Sequence, residues 1–464
     1  MARAASTLQP AAELAALRAA DPDGWQAAYD AARDLQEALR AAGPVSARCR
    51  PLQVALARYA AGRVRQMEGI DRPSAGDVAA GRRAAEAARA PVRAGAARGL
   101  CRGPGGRAAA APAAMSPSDG EAFLGVVVAR APAGADAARL TVDGRPAGEV
   151  AVRGGRARFT VSASPGRHAL RVDFTRAGAP AGSSRAAGAW LLPRSAAAAV
   201  PGDRVDPARA AALTRALSGA PAYRAAWVQD LATGATAGVA AGAPFPAAST
   251  VKIGLLVGAL ARLGAAPERA PLAYDLRAMA GWSSNLATNR VLRRLGGAAT
   301  AADGLRRLGA RSSTFPGEYI VGTELQPALP APGAGAAPPR VSRRVTTAQD
   351  LGRMLFALHA AAVGAPGARA QTGLTAHAAR LGIGWLLGSE QRGDNASLLA
   401  AGLPAGTPVA QKNGWVRAAR HGAGIAYTPR GPVIAVLLTY DDRGVSLPRA
   451  RAVGARVAGV AAGP

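Results

Sequence analysis

The pattern of apolar and polar positions divides the chain into three regions and a linker. Residues 8–101 carry apolar side chains at three- and four-residue steps, which predicts a helical region. Residues 102–118 are rich in Gly, Pro and Ala and predict a linker. Residues 119–198 alternate apolar and polar positions between turn dipeptides such as Asp143-Gly144. This pattern predicts a small all-β sandwich of immunoglobulin-like type.

Residues 205–464 mix the two periods. A strand-like stretch comes first, helices follow over about 249–310, and a Gly/Pro-rich loop covers about 326–340. A further helix has Thr347 as its predicted N-cap, and two strand-like stretches and a closing helix end the chain. Strands at both ends with helices between them predict an α/β domain whose first and last strands share one sheet.

Composition narrows the classes of function. The 464 residues suffice for two or three domains, and the formal net charge of +28 suits an anionic polymer such as a cell wall. The arginines are spread along the chain beside alanine, with no nucleic-acid reader motif and no basic run interleaved with aromatics. We therefore expect no nucleic-acid partner, and we expect most of the charge to be a solvated surface.

The cysteines and the first residues of the chain are evidence about where in the cell the protein acts. Cys49 and Cys101 lack metal-ligand spacing and form either one disulfide or two buried thiols. No apolar run reaches transmembrane length, and the first 24 residues lack the apolar centre of a secretory signal. We still expect export, to the cell envelope or the extracellular space, by an upstream signal or another route, with retention inside the cell as the alternative.

Lysine usage points to the chemistry. Only two of the 57 basic residues are lysine, Lys252 and Lys412. Ser249 precedes Lys252 by three residues, which places an amine beside a hydroxyl on one helix face. Serine becomes a strong nucleophile only when a neighbour takes its proton. Lysine can do so when its pKa is lowered, whereas arginine stays protonated.

Two further elements follow in the sequence. Ser283, Ser284 and Asn285 form a hydroxyl and amide cluster, in which Ser283 can relay a proton and Asn285 can hold an amide. Taken alone, this cluster is typical of a helix cap. The segment Gln411-Lys412-Asn413-Gly414-Trp415 then offers a cation suited to a substrate carboxylate, beside a glycine that permits close backbone approach.

Together these elements resemble the Ser-x-x-Lys, Ser-Asp-Asn and Lys-Thr-Gly motifs of penicillin-recognising serine hydrolases, above all class A β-lactamases. The resemblance covers about residues 205–464 and implies a β-lactamase/transpeptidase-like α/β fold. It implies that Ser249 is the acylated nucleophile, Lys252 its general base and Ser283 a proton shuttle. Asn285 and Lys412 with its neighbours Asn413, Gly414 and Trp415 would bind substrate. The backbone N–H groups of Ser249 and Trp415 would form the oxyanion hole.

The chain departs from the family pattern at several points. Ser284 stands where the family has Asp, and Asn413 stands where it has Thr or Ser. The interval from Ser249 to Ser283 is shorter than usual, so the helical lobe is trimmed. The family's water-activating glutamate corresponds best to Glu318, with Glu324 as the other candidate.

The sequence therefore predicts a serine hydrolase that forms an acyl-enzyme, with β-lactam hydrolysis as the first choice. The alternatives are a cell-wall D-Ala-D-Ala peptidase, an esterase of the same fold, and a non-catalytic envelope-binding protein. We expect a β-lactam or peptidoglycan-type substrate, no cofactor, no metal site and no transmembrane segment.

Overall fold

The computed structural model describes residues 21–42, 45, 47, 49–71, 75–97, 115–319, 329–330, 338, 340–341, 343–391 and 397–463. The chain divides into two compact units. The first comprises residues 1–111, 284–290 and 318–323, and the second comprises the remainder. The immunoglobulin-like assignment and the domain boundaries given above stay predictions.

The N-terminal part of the first unit is helical. Its helices are α1 (Pro22–Ala41), α2 (Arg50–Asp71) and α3 (Ala75–Ala97). The Asp21 side chain caps α1 by accepting from the Gly24 N–H at 2.8 Å. The buried Tyr29 hydroxyl of α1 donates to Glu68 of α2 at 3.2 Å, which ties these helices together. Cys49 is disulfide-bonded, and Cys101 lies outside the described residues.

The second unit begins with short strands. They are β1 (Met115–Ser116), β2 (Ala122–Phe123), β3 (Val126–Arg130), β4 (Ala137–Val142), β5 (Arg145–Ala151), β6 (Arg156–Thr160), β7 (Gly166–Arg176) and β8 (Ala179–Leu191). They form a three-stranded sheet, β1-β3-β6, and a five-stranded sheet, β2-β8-β7-β4-β5. Alternate side chains of β6 and β7 are buried, so the period-two pattern of the sequence faces a shared core. Asp143 and Gly144 take positive φ of 51° and 78° and close the β4–β5 hairpin, as their sequence predicts.

The rest of the second unit alternates helices and strands. Its elements are β9 (Arg204–Val205), α4 (Pro207–Ala216), β10 (Tyr223–Asp230), β11 (Ala235–Val239), β12 (Phe245–Pro246), α5 (Lys252–Leu263), α6 (Ala273–Gly281), α7 (Asn285–Leu295, whose first turns belong to the first unit), α8 (Ala298–Arg307), β13 (Leu329–Pro330), β14 (Arg340–Val341), β15 (Val345–Thr346), α9 (Ala348–Val363), α10 (Ala368–Thr372), α11 (Ala376–Leu387), α12 (Ser397–Ala400), β16 (Val409–Val416), β17 (Ala419–Thr428), β18 (Gly431–Tyr440) and α13 (Leu447–Ala462). Short 3-10 turns lie at Arg194–Ala197, Pro267–Arg269 and Gly388–Gln391.

A six-stranded sheet organises this region in the order β16-β17-β18-β10-β11-β9. Strand β10, near the start of the region, pairs antiparallel with β18, near its end, which confirms the predicted shared sheet. Helices α4 and α13 bury an apolar face against these strands, with Leu213, Val228 and Val457 in the core. Thr347 caps α9 by accepting from the Asp350 N–H at 3.1 Å, as predicted.

Helix α5 is enclosed on all sides at its start, because residues 252–260 are all buried. Its neighbour α8 approaches closely, and a Cβ on Gly304 would lie 1.8 Å from the Gly254 carbonyl oxygen. Glycines at this crossing let the two backbones touch. The buried helix therefore fixes the position of Lys252 at its first residue.

A buried carboxylate joins the early strands to helix α11 within the second unit. Glu121, between β1 and β2, accepts from the Ser118 N–H and from Arg380 Nε, both at 2.7 Å. The His377 imidazole lies between this carboxylate and that of Glu268, 3.1 Å from each. Burial lowers the pKa of His377, but the hydrogen bonds and charges of the two carboxylates outweigh it and raise that pKa to about 9.

No helix in the described part of the chain is long and apolar enough to cross a membrane.

The raised pKa of His377 predicts a pH dependence of stability. Its contribution is fully present below the ordinary value of 6.5 and is lost as the pH rises through about 9. Replacing it by glutamine (His377→Gln) should cost about 1–2 kcal/mol more at pH 6 than at pH 10. Urea unfolding of both proteins at the two pH values measures this, and an equal cost at both would contradict the ionic role.

Candidate active site

Ser249 lies in a tight turn that leads into helix α5. The Thr250 N–H donates to the Ala247 carbonyl at 3.0 Å, and the Lys252 N–H donates to the Ser249 carbonyl at 3.2 Å. Ala248 has a φ of 47°, a left-handed conformation that costs a non-glycine residue about 1 kcal/mol. The surrounding structure maintains this strained conformation of Ala248, immediately before Ser249, which is partly exposed.

The structure brings Lys252 and Ser283 together. Lys252 is 1% exposed, and its ammonium donates to the Ser283 carbonyl at 2.8 Å and to the Ser283 hydroxyl at 3.4 Å. Ser283 also takes a left-handed conformation, with a φ of 63°. A buried amine beside a hydroxyl, one helical turn after Ser249, is an arrangement that can accept and pass on a proton.

Lys412 lies on β16, the edge strand of the six-stranded sheet. Its ammonium donates to the Asn413 carbonyl at 2.9 Å and to the Asn413 side-chain oxygen at 3.2 Å. Complete burial lowers the pKa of Lys412 to about 7, because desolvation disfavours the charged form. An anionic ligand here would favour the protonated lysine.

Gly414 lets this strand lie directly against the serine turn. A Cβ on Gly414 would lie 2.8 Å from the Ala247 carbonyl oxygen and 3.1 Å from the Thr250 nitrogen. No side chain fits in this space without displacing backbone. The glycine therefore brings Asn413 and Trp415 beside the turn that carries Ser249.

His421 links two segments beside the serine turn through hydrogen bonds of its ring, and we call this link the brace. Its sequence context does not reveal this role. The Thr439 N–H donates to Nδ1 at 3.2 Å, so the ring proton is on Nε2, which donates to the Pro246 carbonyl at 2.8 Å. Burial is the main cause that lowers the pKa of His421 to about 4 and keeps the ring neutral. The imidazole thus links β18 to the segment that enters the serine turn.

Asn285 and Glu318 both belong to the first unit, and their surroundings are described within that unit. The Asn285 N–H donates to Asp71 of α2 at 2.8 Å, and its side chain is partly exposed. Glu318 is exposed, whereas the next residue, Tyr319, is buried and exchanges two 2.8 Å hydrogen bonds with the Asn289 side chain. Glu324 lies outside the described residues.

Ser284 is the middle residue of the Ser283-Ser284-Asn285 motif, where the resembling family has an aspartate. It is fully buried, and its hydroxyl accepts from the Ala287 N–H at 3.2 Å, which caps α7.

Over the residues that the structure describes, no group of three or more His, Cys, Asp and Glu side chains is placed to hold a metal ion.

A family model described as the β-lactamase enzyme family matches residues 208–268 and 265–462. No curated protein matches the sequence.

Solved structures to which this chain is similar include two β-lactamases and a mutant of PBP-A. A β-lactamase from Desulfarculus baarsii is 20% identical and covers 55% of this chain and 96% of its own, with a TM-score of 0.44. A β-lactamase from Streptosporangium roseum is 18% identical, with coverages of 55% and 98% and a TM-score of 0.44. A mutant of PBP-A, solved as an acyl-enzyme complex with penicillin G, is 21% identical, with coverages of 56% and 98% and a TM-score of 0.41.

The brace predicts an effect of His421 on the serine turn. The His421→Leu variant leaves two buried backbone groups without partners and should lower the free energy of unfolding by about 2–4 kcal/mol. His359→Leu is the matched control, because His359 is equally buried and holds the Ala198 carbonyl instead, at 2.9 Å. Hydrogen exchange of residues 246–251 should quicken in the first variant alone, and equal exchange in both would contradict the brace.

Proposed function

Because the chain belongs to the β-lactamase enzyme family, we propose that it is a serine hydrolase that forms an acyl-enzyme on Ser249 and hydrolyses β-lactams. The observation that carries this proposal is the buried Lys252 ammonium, which lies 2.8 Å from the Ser283 carbonyl and one turn after Ser249. Apart from Lys412, every other Lys or Arg position of the chain is arginine, and this position keeps a lysine, which can lose its proton.

In the proposed reaction, the Lys252 side chain first loses its own proton, and the resulting neutral amine then takes the proton of Ser249. The serine oxygen attacks the lactam carbonyl carbon, and the backbone N–H groups of Ser249 and Trp415 stabilise the oxyanion. The C–N bond then breaks, and the ring nitrogen takes a proton relayed from Lys252 through Ser283. The 3.4 Å separation of Lys252 Nζ and Ser283 Oγ supports this relay. Water then hydrolyses the ester and regenerates Ser249.

Lys412 is proposed to bind the carboxylate of the substrate. Its ammonium already donates to Asn413, and burial lowers its pKa. A carboxylate that approaches this strand restores the charged form and gains a charge-assisted hydrogen bond. Asn285 is proposed to bind the side-chain amide of the substrate, through its donor and acceptor atoms.

Deacylation distinguishes two candidate functions. Glu318 is proposed to activate water, which would make the protein a β-lactamase. The exposure of its side chain favours the second candidate, a cell-wall D-Ala-D-Ala peptidase that β-lactams would trap as a lasting acyl-enzyme. Enclosed carboxylates make better general bases near neutral pH, because burial raises their pKa.

We also propose that the protein acts in the cell envelope, on β-lactam or peptidoglycan-type substrates. The net charge of +28 supports this location, since an anionic cell wall would concentrate such a protein near its substrate.

Intact mass measured against time after mixing with benzylpenicillin tests the proposal, with Ser249→Ala as the control. An adduct that forms on Ser249 and clears is the result expected of a β-lactamase, and Glu318→Gln should then make it persist. An adduct that persists in the unmodified protein supports the peptidase. No adduct in any sample would rule out both.

A further inference from the structure

We propose that Asp71, on helix α2, is a positioning residue. Its carboxylate caps the first turn of helix α7, although it lies on a different helix, and it thereby orients Asn285. The part that concerns substrate rests on the proposed function. The part that concerns the helix rests on contacts within the first unit alone.

The start of α7 lacks a charged cap of its own. The first four N–H groups of a helix have no partner within it, and a negative charge near them is stabilising. Ser284 satisfies the Ala287 N–H but is uncharged, where the resembling family has an aspartate. The Asn285 N–H donates instead to the Asp71 carboxylate at 2.8 Å, across 214 residues of sequence. Asp71 therefore supplies the carboxylate that the motif lacks.

A second contact holds the next turn of the helix. The side chain of Gln26, on α1, is 1% exposed and donates to the Leu286 carbonyl at 3.1 Å. Its oxygen accepts from the Asn289 side chain at 3.2 Å. Asn289 in turn bonds the backbone of Tyr319, so the same contacts reach the residue that follows Glu318.

A buried ion pair completes the attachment. Arg290 is 1% exposed, and one of its terminal nitrogens lies 2.7 Å from a carboxylate oxygen of Asp34 and 2.7 Å from one of Glu37. Both acids lie on α1. A buried guanidinium that loses such partners is strongly destabilising, so residues 285–290 are held in one position relative to α1 and α2.

Orientation of Asn285 is the consequence for function. Asn285 is the first residue of α7, so its side-chain direction follows from where the helix starts. The proposed role of its side chain is to bind the substrate amide, and catalysis is sensitive to displacements of about 1 Å. Asp71 would thereby act on substrate binding only through Asn285, as a positioning residue.

The Asp71→Ala variant tests this inference through substrate selectivity. Acylation by benzylpenicillin, which carries a side-chain amide, should slow about tenfold. Acylation by 6-aminopenicillanic acid, which has a free amine there, should change less than twofold. The matched control is Asp77→Ala, which removes a 2.9 Å ion pair with Arg65 between α2 and α3. It should leave both rates unchanged, and Asp71→Asn, which keeps an acceptor oxygen, should recover most of the benzylpenicillin rate.

Hydrogen exchange of residues 284–290 separates failure of this inference from failure of the proposed function. Exchange should quicken in Asp71→Ala and not in Asp77→Ala, whether or not the protein reacts with penicillins. Unchanged exchange, or equal loss of rate with both substrates, would overturn the positioning role. An unmodified protein that is never acylated defeats the proposed function, while the exchange result still decides whether Asp71 holds the helix.

Discussion

The burial of the Lys252 ammonium is the constraint on which the rest of the site depends. A cation in an apolar helix must find polar partners, and the carbonyl and hydroxyl of Ser283 supply them. This requirement fixes Ser283 in a left-handed conformation beside α5 and links two segments that are 31 residues apart. The strained turn at Ala248 and the glycine at Gly414 then place a partly exposed serine against the edge strand. Each feature has its own cost, and the closely packed helix and sheet around the site offset these costs.

Three buried titratable side chains, Lys412, His421 and His377, differ in the groups that surround them. Burial on the edge strand lowers the pKa of Lys412 to about 7. His421 is equally buried and neutral, because burial lowers its pKa to about 4, and its two nitrogens are matched by a backbone donor and a backbone acceptor. His377 is held charged between two carboxylates where the early strands meet α11. Burial therefore lowers the pKa of Lys412 and of His421, whereas the two carboxylates outweigh the effect of burial at His377.

Sequence reasoning reached the parts of the structure that local patterns encode. The alternating strands, the Asp143-Gly144 turn, the Thr347 cap and the shared sheet follow from periods, turn chemistry and element order. The scarcity of lysine singled out Lys252 and Lys412 before any geometry was known. The contacts of Asp71 and Gln26 with residues 285–289 could not be predicted, because no local period encodes a pairing across more than 200 residues. Ser284, which stands where the resembling family has an aspartate, was the one signal in the sequence that the start of α7 differs from that of the family. The bracing role of His421 was hidden for a similar reason, since its partners lie on two other segments.

The central claim is that Lys252 must be able to lose its proton beside Ser249. The most direct measurement is the rate at which benzylpenicillin acylates the Lys252→Arg variant, followed by intact mass, with the melting temperature recorded alongside. Arginine keeps the positive charge and the hydrogen-bond donors but cannot act as a base. The account predicts that acylation slows by about a thousandfold or more in a variant that still unfolds cooperatively. A variant that reacts at nearly the unmodified rate would contradict the account.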